Sequence, residues 1–360
     1  MNAFSTLPDD ARTSDEDRNA LSTDAGFGRV FTDHMVTIRY TEGLGWHGAT
    51  LGPRSPISLD PAAAVLHYAQ EIFEGLKAYR QPDGGVASFR PDANAPRFNE
   101  SAARLAMPQI PEEMFVESVR QLVTKDRDWV PAAETGSLYL RPFMFADEPF
   151  LGVRPARSYL FCVIASPVGS YFKGGKEAVT VWLSYDFVRA VPGGTGAAKC
   201  GGNYAASLQP QAEGIAHGCD QVLFLDAVER RRIEELGGMN IMFVMRDGRI
   251  ITPPLNGSIL PGITRDSLIS LAAEAGYQVL EQPYSVDQWE ADAKSGALRE
   301  CFACGTAAVI TPIAEVKSKH GGFLVGNGGS GDVGRTLKDR LVGIQYGRVE
   351  DKYGWLMRLV

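Results

Sequence analysis

Alternation of apolar and polar positions dominates the first half of the chain. Met35-Val-Thr-Ile-Arg-Tyr40 alternates with a period of two, the pattern of a half-buried strand. Asp60-Pro61 ahead of Ala-Ala-Ala-Val-Leu-His-Tyr68 reads as an N-cap with proline at the first helical position, and this helix should end before Glu74-Gly75. Leu76-Lys-Ala-Tyr-Arg80, the turn Asp83-Gly84-Gly85 and Val86-Ala-Ser-Phe-Arg90 make a hairpin signal, which implies an antiparallel sheet. The period then lengthens. Helices are expected over 95–106 and 111–127, the second with Met114, Phe115, Val119, Leu122 and Val123 as its core-facing stripe. Residues 137–145 and 158–165 return to strand character. In the second half, strands are expected at 179–183, 222–226 and 241–245, the last turning through Asp247-Gly248 into Arg249-Ile-Ile-Thr252. Helices are expected at 204–217 and 264–275, the latter closed by Gly276 at its C-terminus.

Strand runs broken by helices, with several hairpins and no strict β-α-β alternation, assign the α+β class and disfavour a doubly wound parallel sheet. A length of 360 residues fits two domains of ordinary size. Residues 1–25 are polar and without period, and read as a flexible tail. Ser166-Pro-Val-Gly-Ser170 and Lys173-Gly-Gly175 have linker composition. The expected division is therefore a small domain at 26–167, a linker at 168–178 and a larger domain at 179–360.

Composition narrows the function classes. With 44% hydrophobic and 22% charged residues the chain is of the soluble globular type. A net charge of −7 and the lack of any basic run give no attraction to nucleic acid or anionic lipid. No apolar run is long enough to span a bilayer, and the acidic N-terminus has no export-signal pattern. Five scattered cysteines do not form a disulfide framework, so a reducing cytoplasm is expected. His34, His47, His67, His217 and His320 are too dispersed to suggest a metal site.

Phosphate-binding glycine motifs of the dinucleotide and Walker types are absent. Gly194-Thr-Gly196-Ala-Ala is followed by Lys199 where a third glycine would stand. That lysine lies in Val191-Pro-Gly-Gly-Thr-Gly-Ala-Ala-Lys-Cys-Gly-Gly-Asn-Tyr204, among small residues on both sides. A solvated surface lysine is the ordinary reading. Close packing by small neighbours would instead lower the charge of the amine and let a planar group approach, as covalent imine chemistry requires.

The lysine segment occurs together with Phe73-Glu-Gly-Leu-Lys-Ala-Tyr79, Tyr139-Leu-Arg-Pro142, Glu235-Leu-Gly-Gly-Met-Asn240, Leu260-Pro-Gly-Ile-Thr-Arg265 and Gly305-Thr-Ala-Ala308. In that order and spacing, from about Phe27 to the C-terminus, the chain resembles the fold-type IV, or class IV, aminotransferases, and among them the branched-chain amino acid aminotransferases. The resemblance implies a two-domain enzyme with a small α/β domain and a larger, β-barrel-like α/β domain. It also implies pyridoxal 5'-phosphate as cofactor and transamination of L-leucine, L-isoleucine and L-valine with 2-oxoglutarate, an activity of branched-chain amino acid biosynthesis. Lys199 resembles the residue that binds the cofactor covalently and then moves the substrate proton. Glu235 matches the carboxylate that pairs with the pyridine nitrogen; Glu234 beside it faces the other way by strand alternation, and both acids could instead be a solvated run.

Tyr204 matches the tyrosine that bonds the cofactor's phenolic oxygen. Arg97 corresponds to the phosphate arginine, whereas Arg90 is read as structural. The backbone N–H groups of Ile263 and Thr264 open a helix and suit an anion, and Thr306 resembles the threonine that reaches the phosphate. For substrate, Thr306 and Ala307 resemble the turn that takes the α-carboxylate. Phe27, Tyr68, Phe73, Tyr139 and Tyr171 match an aromatic wall, and Arg141 matches the arginine that meets the distal carboxylate of glutamate. Tyr68 and Leu151-Gly-Val153 resemble segments contributed by a neighbouring subunit, which implies a homodimer.

The chain departs from the pattern in two places. Gly238 stands where mammalian members carry threonine, and Cys301 and Cys304 read as buried small residues, not as a redox pair. Within the same fold, a D-amino-acid aminotransferase or an aminodeoxychorismate lyase is the alternative, and a catalytically silent dimer that binds the cofactor is a further one.

Overall fold

The computed structural model describes residues 4–8, 12–23, 26–133, 135–169, 177–326, 328–329 and 331–360. The chain divides into two compact units, one made of Met1–Tyr171, Ala198–Gly201 and Gly343–Val360, the other of Phe172–Ala197 and Gly202–Val342. This division assigns Ala198–Gly201 and Gly343–Val360 to the first unit, where the sequence suggested one continuous second domain over 179–360.

In the first unit the chain runs through β1 (Ser5–Thr6), α1 (Asp15–Thr23), β2 (His34–Thr41), β3 (Gly45–Pro53), α2 (Ala64–Tyr68), β4 (Glu71–Phe73), β5 (Leu76–Arg80), β6 (Val86–Phe89), α3 (Pro91–Arg104), α4 (Glu112–Lys125), β7 (Ser137–Ala146) and β8 (Ser158–Val168). The strands are ordered β1-β3-β2-β8-β7-β5-β6, with β4 beside β7. Their pairings are antiparallel, apart from the parallel contact of β1 with β3. One face of the sheet is covered by α3 and α4, whose Phe98, Phe115, Val119 and Leu122 share a core with Ile38, Leu140 and Phe161. The rings of Phe98 and Phe115 lie 5.4 Å apart and those of Phe98 and Phe161 5.6 Å apart, so area burial is reinforced by edge contacts.

Two expectations are corrected here. Residues 1–25 are not uniformly a flexible tail: Ser5–Thr6 pair with Thr50–Leu51, and a Cβ at Gly52 would meet Leu7 Cδ1 at 2.7 Å, so glycine leaves room for Leu7 against the strand. Asp17 N donates to Ser14 Oγ at 3.1 Å, which caps α1. The helix expected to begin at Asp60-Pro61 is shortened to α2, because Ala62 N donates to Asp60 Oδ1 at 2.8 Å and the pair forms an Asx turn. Ala69, at φ 48°, ends it.

The second unit contains β9 (Val179–Ser184), most of α5 (Gly201–Ala205), α6 (Leu208–Ala216), β10 (Gln221–Leu225), β11 (Ile233–Leu236), β12 (Asn240–Met245), β13 (Arg249–Thr252), α7 (Ile263–Glu274), β14 (Gln278–Glu281), α8 (Val286–Ser295), β15 (Leu298–Gly305), β16 (Val309–Ser318), β17 (Gly321–Leu324) and most of α9 (Asp332–Gln345). Its strands are ordered β11-β10-β9-β16-β15-β12-β13-β14, with β17 on β16. Parallel pairs, β9 with β10 and β16 and β13 with β14, are set among antiparallel ones, consistent with the α+β class. The single helix expected over 204–217 is two, broken where Ser207 Oγ donates to Tyr204 O at 2.7 Å. Last comes β18 (Leu356–Arg358), which returns to the first unit and pairs with β6.

Candidate active site

In the first unit the functional side chains gather on β4, β7 and the tetrapeptide around Lys199. Lys199 is held by its backbone: its N–H donates to Ser101 Oγ at 2.9 Å, and its carbonyl accepts from Phe73 N at 2.9 Å. Gly201 N donates to the carboxylate of Glu71. Lys199 Nζ lies 4.9 Å from the centroid of the Phe73 ring, and the Arg141 guanidinium lies 4.6 Å from the same ring. Arg141 Nη2 donates to the Tyr139 hydroxyl at 3.2 Å, and Phe27 packs edge-on against Tyr139 at 4.9 Å. Arg141 Nε is buried without a hydrogen-bond partner. An aromatic wall with one lysine and one guanidinium against it is therefore present.

Arg97 forms a buried fork with Glu74, Nε to Oε1 at 2.7 Å and Nη2 to Oε2 at 2.8 Å. Burial alone would raise the Glu74 carboxyl, but Arg97, the charge of Lys199 and the Gly75 N–H together hold it below its ordinary range. Two of the Arg97 donors are thus engaged by protein, a constraint the sequence did not suggest for a phosphate ligand. For Glu71, burial wins over the Gly201 N–H and Arg141, and the carboxyl is raised.

In the second unit the centre is Glu235, on β11 and 3% exposed. Its Oε1 accepts from Leu260 N at 3.0 Å and pairs with Arg189 Nη2 at 2.5 Å; Asn240 Nδ2 approaches its Oε2 at 3.5 Å. Asn240 also donates to Leu260 O at 3.1 Å, which ties β12 to the segment leading into α7. A Cβ at Gly262 would sit 2.0 Å from Asn240 Oδ1, so only glycine lets this helix start come so close. No side chain caps the N-terminus of α7, where Ile263 and Thr264 stand, which leaves its first turn suited to an anion. Gly305, next to Thr306, lies against Met239 and the Gly238 carbonyl, and the Tyr204 ring edge is 3.6 Å from where a Gly238 Cβ would be. This unit therefore brings Tyr204, Glu235, Asn240, the start of α7 and the Gly305-Thr306 turn to neighbouring positions.

The chain is also pinned on either side of Lys199. Thr195 Oγ1 donates to Asn203 Oδ1 at 2.8 Å, and Asn203 Nδ2 donates back to Thr195 O at 2.8 Å. Between these two residues Lys199 projects from a short bracketed loop.

Tyr68 and Leu151–Val153 are exposed, Val153 at 90% and Leu151 at 70%, with the Tyr68 hydroxyl donating to Leu151 O. Tyr171 lies outside the described residues. Sequence reasoning missed Arg189, Asn240 as a bonding partner, and the Arg97–Glu74 pair. Only the Asn240 motif carried a local signal. Cys301 and Cys304 are buried on β15, and burial pushes the Cys304 thiol up to about 12, which suppresses thiolate chemistry. Glu234, on the other face of β11, bonds Asn256 Nδ2 at 3.2 Å through Oε1 while its Oε2 has no partner, and burial raises it.

The model of the amino-transferase class IV family matches residues 71–316. A branched-chain-amino-acid aminotransferase of Mycobacterium tuberculosis H37Rv is 57% identical over 96% of this chain and 95% of its own length. A probable branched-chain-amino-acid aminotransferase of Streptomyces coelicolor is 58% identical over 96% of each chain. Among solved structures, the Escherichia coli branched-chain amino acid aminotransferase matches with a TM-score of 0.75 and 31% identity, over 90% of this chain and 99% of that one. The T.th. branched-chain amino acid aminotransferase, solved with pyridoxamine 5'-phosphate, matches with a TM-score of 0.73 and 28% identity over 90% and 98%. A family match across most of the chain, joined to relatives of this identity and coverage, means that the chain belongs to the class IV aminotransferases, in the branched-chain-amino-acid aminotransferase family.

Proposed function

We propose that this aminotransferase moves the amino group of L-leucine, L-isoleucine or L-valine to 2-oxoglutarate, giving branched-chain 2-oxo acids and L-glutamate in two half-reactions on pyridoxal 5'-phosphate. The observation that carries the substrate reading is the wall of Phe73, Tyr139 and Phe27 with a single guanidinium, Arg141, set into it. An apolar wall accepts an aliphatic side chain, and one cation in that wall accepts the distal carboxylate of glutamate. Both substrates of a ping-pong cycle then fit one pocket.

The residues fit the cofactor. Bound, it supplies an electron sink for the pair released when the Cα–H bond breaks. Lys199 would hold the cofactor covalently and would be the base that moves the proton at the substrate Cα. Its position 4.9 Å from the Phe73 ring keeps the amine partly out of water. Glu235 would be the carboxylate partner of the ring nitrogen, and Tyr204 would donate to the phenolic oxygen. The uncapped start of α7 at Ile263 and Thr264, with the Thr306 hydroxyl, would take the phosphate, and Arg97, bonded to Glu74, is the cation that the family resemblance assigns to it. Thr306 and Ala307 would orient the α-carboxylate, and Phe27, Phe73 and Tyr139 would face the side chain, with Tyr68 contributed across a dimer interface; the family resemblance adds Tyr171, which lies outside the described residues.

Exposed Tyr68, Leu66, Leu151 and Val153 form an apolar patch of the kind a partner subunit covers, which supports a homodimer. Among the described residues no helix is long and apolar enough to cross a membrane, and the five cysteines are unpaired and buried; both features suit the cytoplasm.

The test is borohydride reduction of the holoenzyme followed by peptide mapping, with label expected on Lys199. The unreduced enzyme is then mixed separately with L-leucine, D-alanine and L-glutamate, and conversion of its visible band to the pyridoxamine form is followed. Label elsewhere sinks the anchor, and a response to D-alanine alone sinks the substrate.

A further inference from the structure

Arg189 lies in direct contact with the buried carboxylate of Glu235. We propose that Arg189 is a positioning residue that keeps Glu235 ionised, so that the proton shared between that carboxylate and the cofactor ring rests on the ring nitrogen. The proposal rests on the reading that Glu235 faces this nitrogen, and adds to it the reason the carboxylate can do so in a dry site.

The geometry is built, not incidental. Arg189 Nη2 lies 2.5 Å from Glu235 Oε1, and the two side chains are 5% and 4% exposed. The same nitrogen donates to Gly196 O at 3.1 Å and to Ser258 O, so the guanidinium is anchored by backbone carbonyls on two loops. A Cβ at Gly196 would fall 2.2 Å from Ser258 O, so these two carbonyls approach each other only because residue 196 is glycine. Leu260 N fixes Glu235 Oε1 from another direction.

The adjacent acid serves as an internal control. Glu234 and Glu235 sit on one strand and are 4% and 3% exposed. Glu234 has an amide for a partner and an orphaned oxygen, and burial raises it toward the neutral acid despite the more distant charge of Arg189. A carboxyl buried on β11 without a contact cation thus drifts toward protonation. Were Glu235 to do the same, it would hold the proton itself and present a neutral acid to the ring. Arg189 prevents this. A ring nitrogen held by this carboxylate would stand farther from the guanidinium than the carboxylate does, and Coulomb interactions fall with distance. The cation therefore favours the anion more than it disfavours a protonated ring.

The test uses holoenzyme loaded with cofactor carrying 15N in the ring, whose nitrogen NMR shift reads protonation directly. Arg189→Met and Arg189→Gln are compared with Arg189→Lys, Glu235→Gln and Glu234→Gln. Expected are a shift toward unprotonated pyridine in Arg189→Met, Arg189→Gln and Glu235→Gln, and wild-type shifts in Arg189→Lys and Glu234→Gln. The neutral Arg189 variants should also lose kcat by about tenfold or more with little change in KM, the mark of an interaction used in the transition state. If Arg189→Met does not fold, Arg189→Gln, which keeps a hydrogen-bond donor, carries the same expectation. A moved signal in Glu235→Gln with wild-type signals in both neutral Arg189 variants overturns the proposal alone. An unmoved signal in Glu235→Gln overturns the reading of Glu235 on which it rests.

Discussion

Glu74 and Arg97 show how a buried ion pair governs response to acid. Removing one partner of such a pair leaves an uncompensated charge, so Glu74→Leu should cost about 3–5 kcal/mol in urea denaturation. Because the folded Glu74 carboxyl lies below its ordinary value of 4.5, its stabilising contribution is complete above that value and is lost as pH falls through the folded value. Wild type should therefore lose stability steeply below about pH 4.5, and the variant should lack that part of the loss. Glu234 has the opposite sign. Its folded carboxyl lies above 4.5, so its contribution is present below 4.5 and lost as pH rises through the folded value. Glu234→Gln, which keeps the acceptor for Asn256, should raise Tm at pH 8 and leave it nearly unchanged at pH 4.5; equal Tm gains at both would refute the assignment. Lys199 was legible in the sequence because its small neighbours are contiguous with it. Arg189 was not, because it lies in the loop after β9 and its partner stands on β11, so only the folded chain joins them.

At the scale of the element, glycines decide how closely segments meet. Gly262 has an ordinary backbone, and its constraint is steric: Asn240 Oδ1 occupies the space a side chain would need. Gly262→Ala should displace Asn240 from Leu260 O and Glu235 and weaken cofactor retention by roughly tenfold, about 1.4 kcal/mol. Titration of the apo-protein with pyridoxal 5'-phosphate measures this, with unchanged far-UV circular dichroism as the control; wild-type affinity would show that Asn240 is not needed. Most elements were readable from periodicity, including the β5–β6 hairpin and the α4 stripe. The failures have local causes. An aspartate bonded two residues ahead turned an expected cap into a turn, and Ser207 bonded back to Tyr204 O split one expected helix into two. The contact of Ser5–Thr6 with β3 depends on Leu7 over Gly52, a pairing between distant residues that no local pattern announces.

For the whole molecule, the exposed apolar patch gives the proposed dimer a direct test. Val153→Asp should shift the sedimentation profile toward monomer, since an acid at a position 90% exposed in one chain disturbs nothing within that chain. An unchanged profile would remove this patch from the interface. The α+β class was legible because hairpins and helices alternate irregularly. Strand order was not, since β18 joins the first unit through a pairing with β6 that skips most of the chain. That skipping has a consequence for synthesis. Residues Glu71, Phe73 and Ser101, which grip the backbone around Lys199, leave the ribosome well before it, but β18 and Leu359 emerge long after both. Until β18 emerges, the nascent chain carries a sheet with β6 as an open edge and a core short of one leucine. Cutting a few residues from the C-terminus should therefore injure the half of the protein that was translated first.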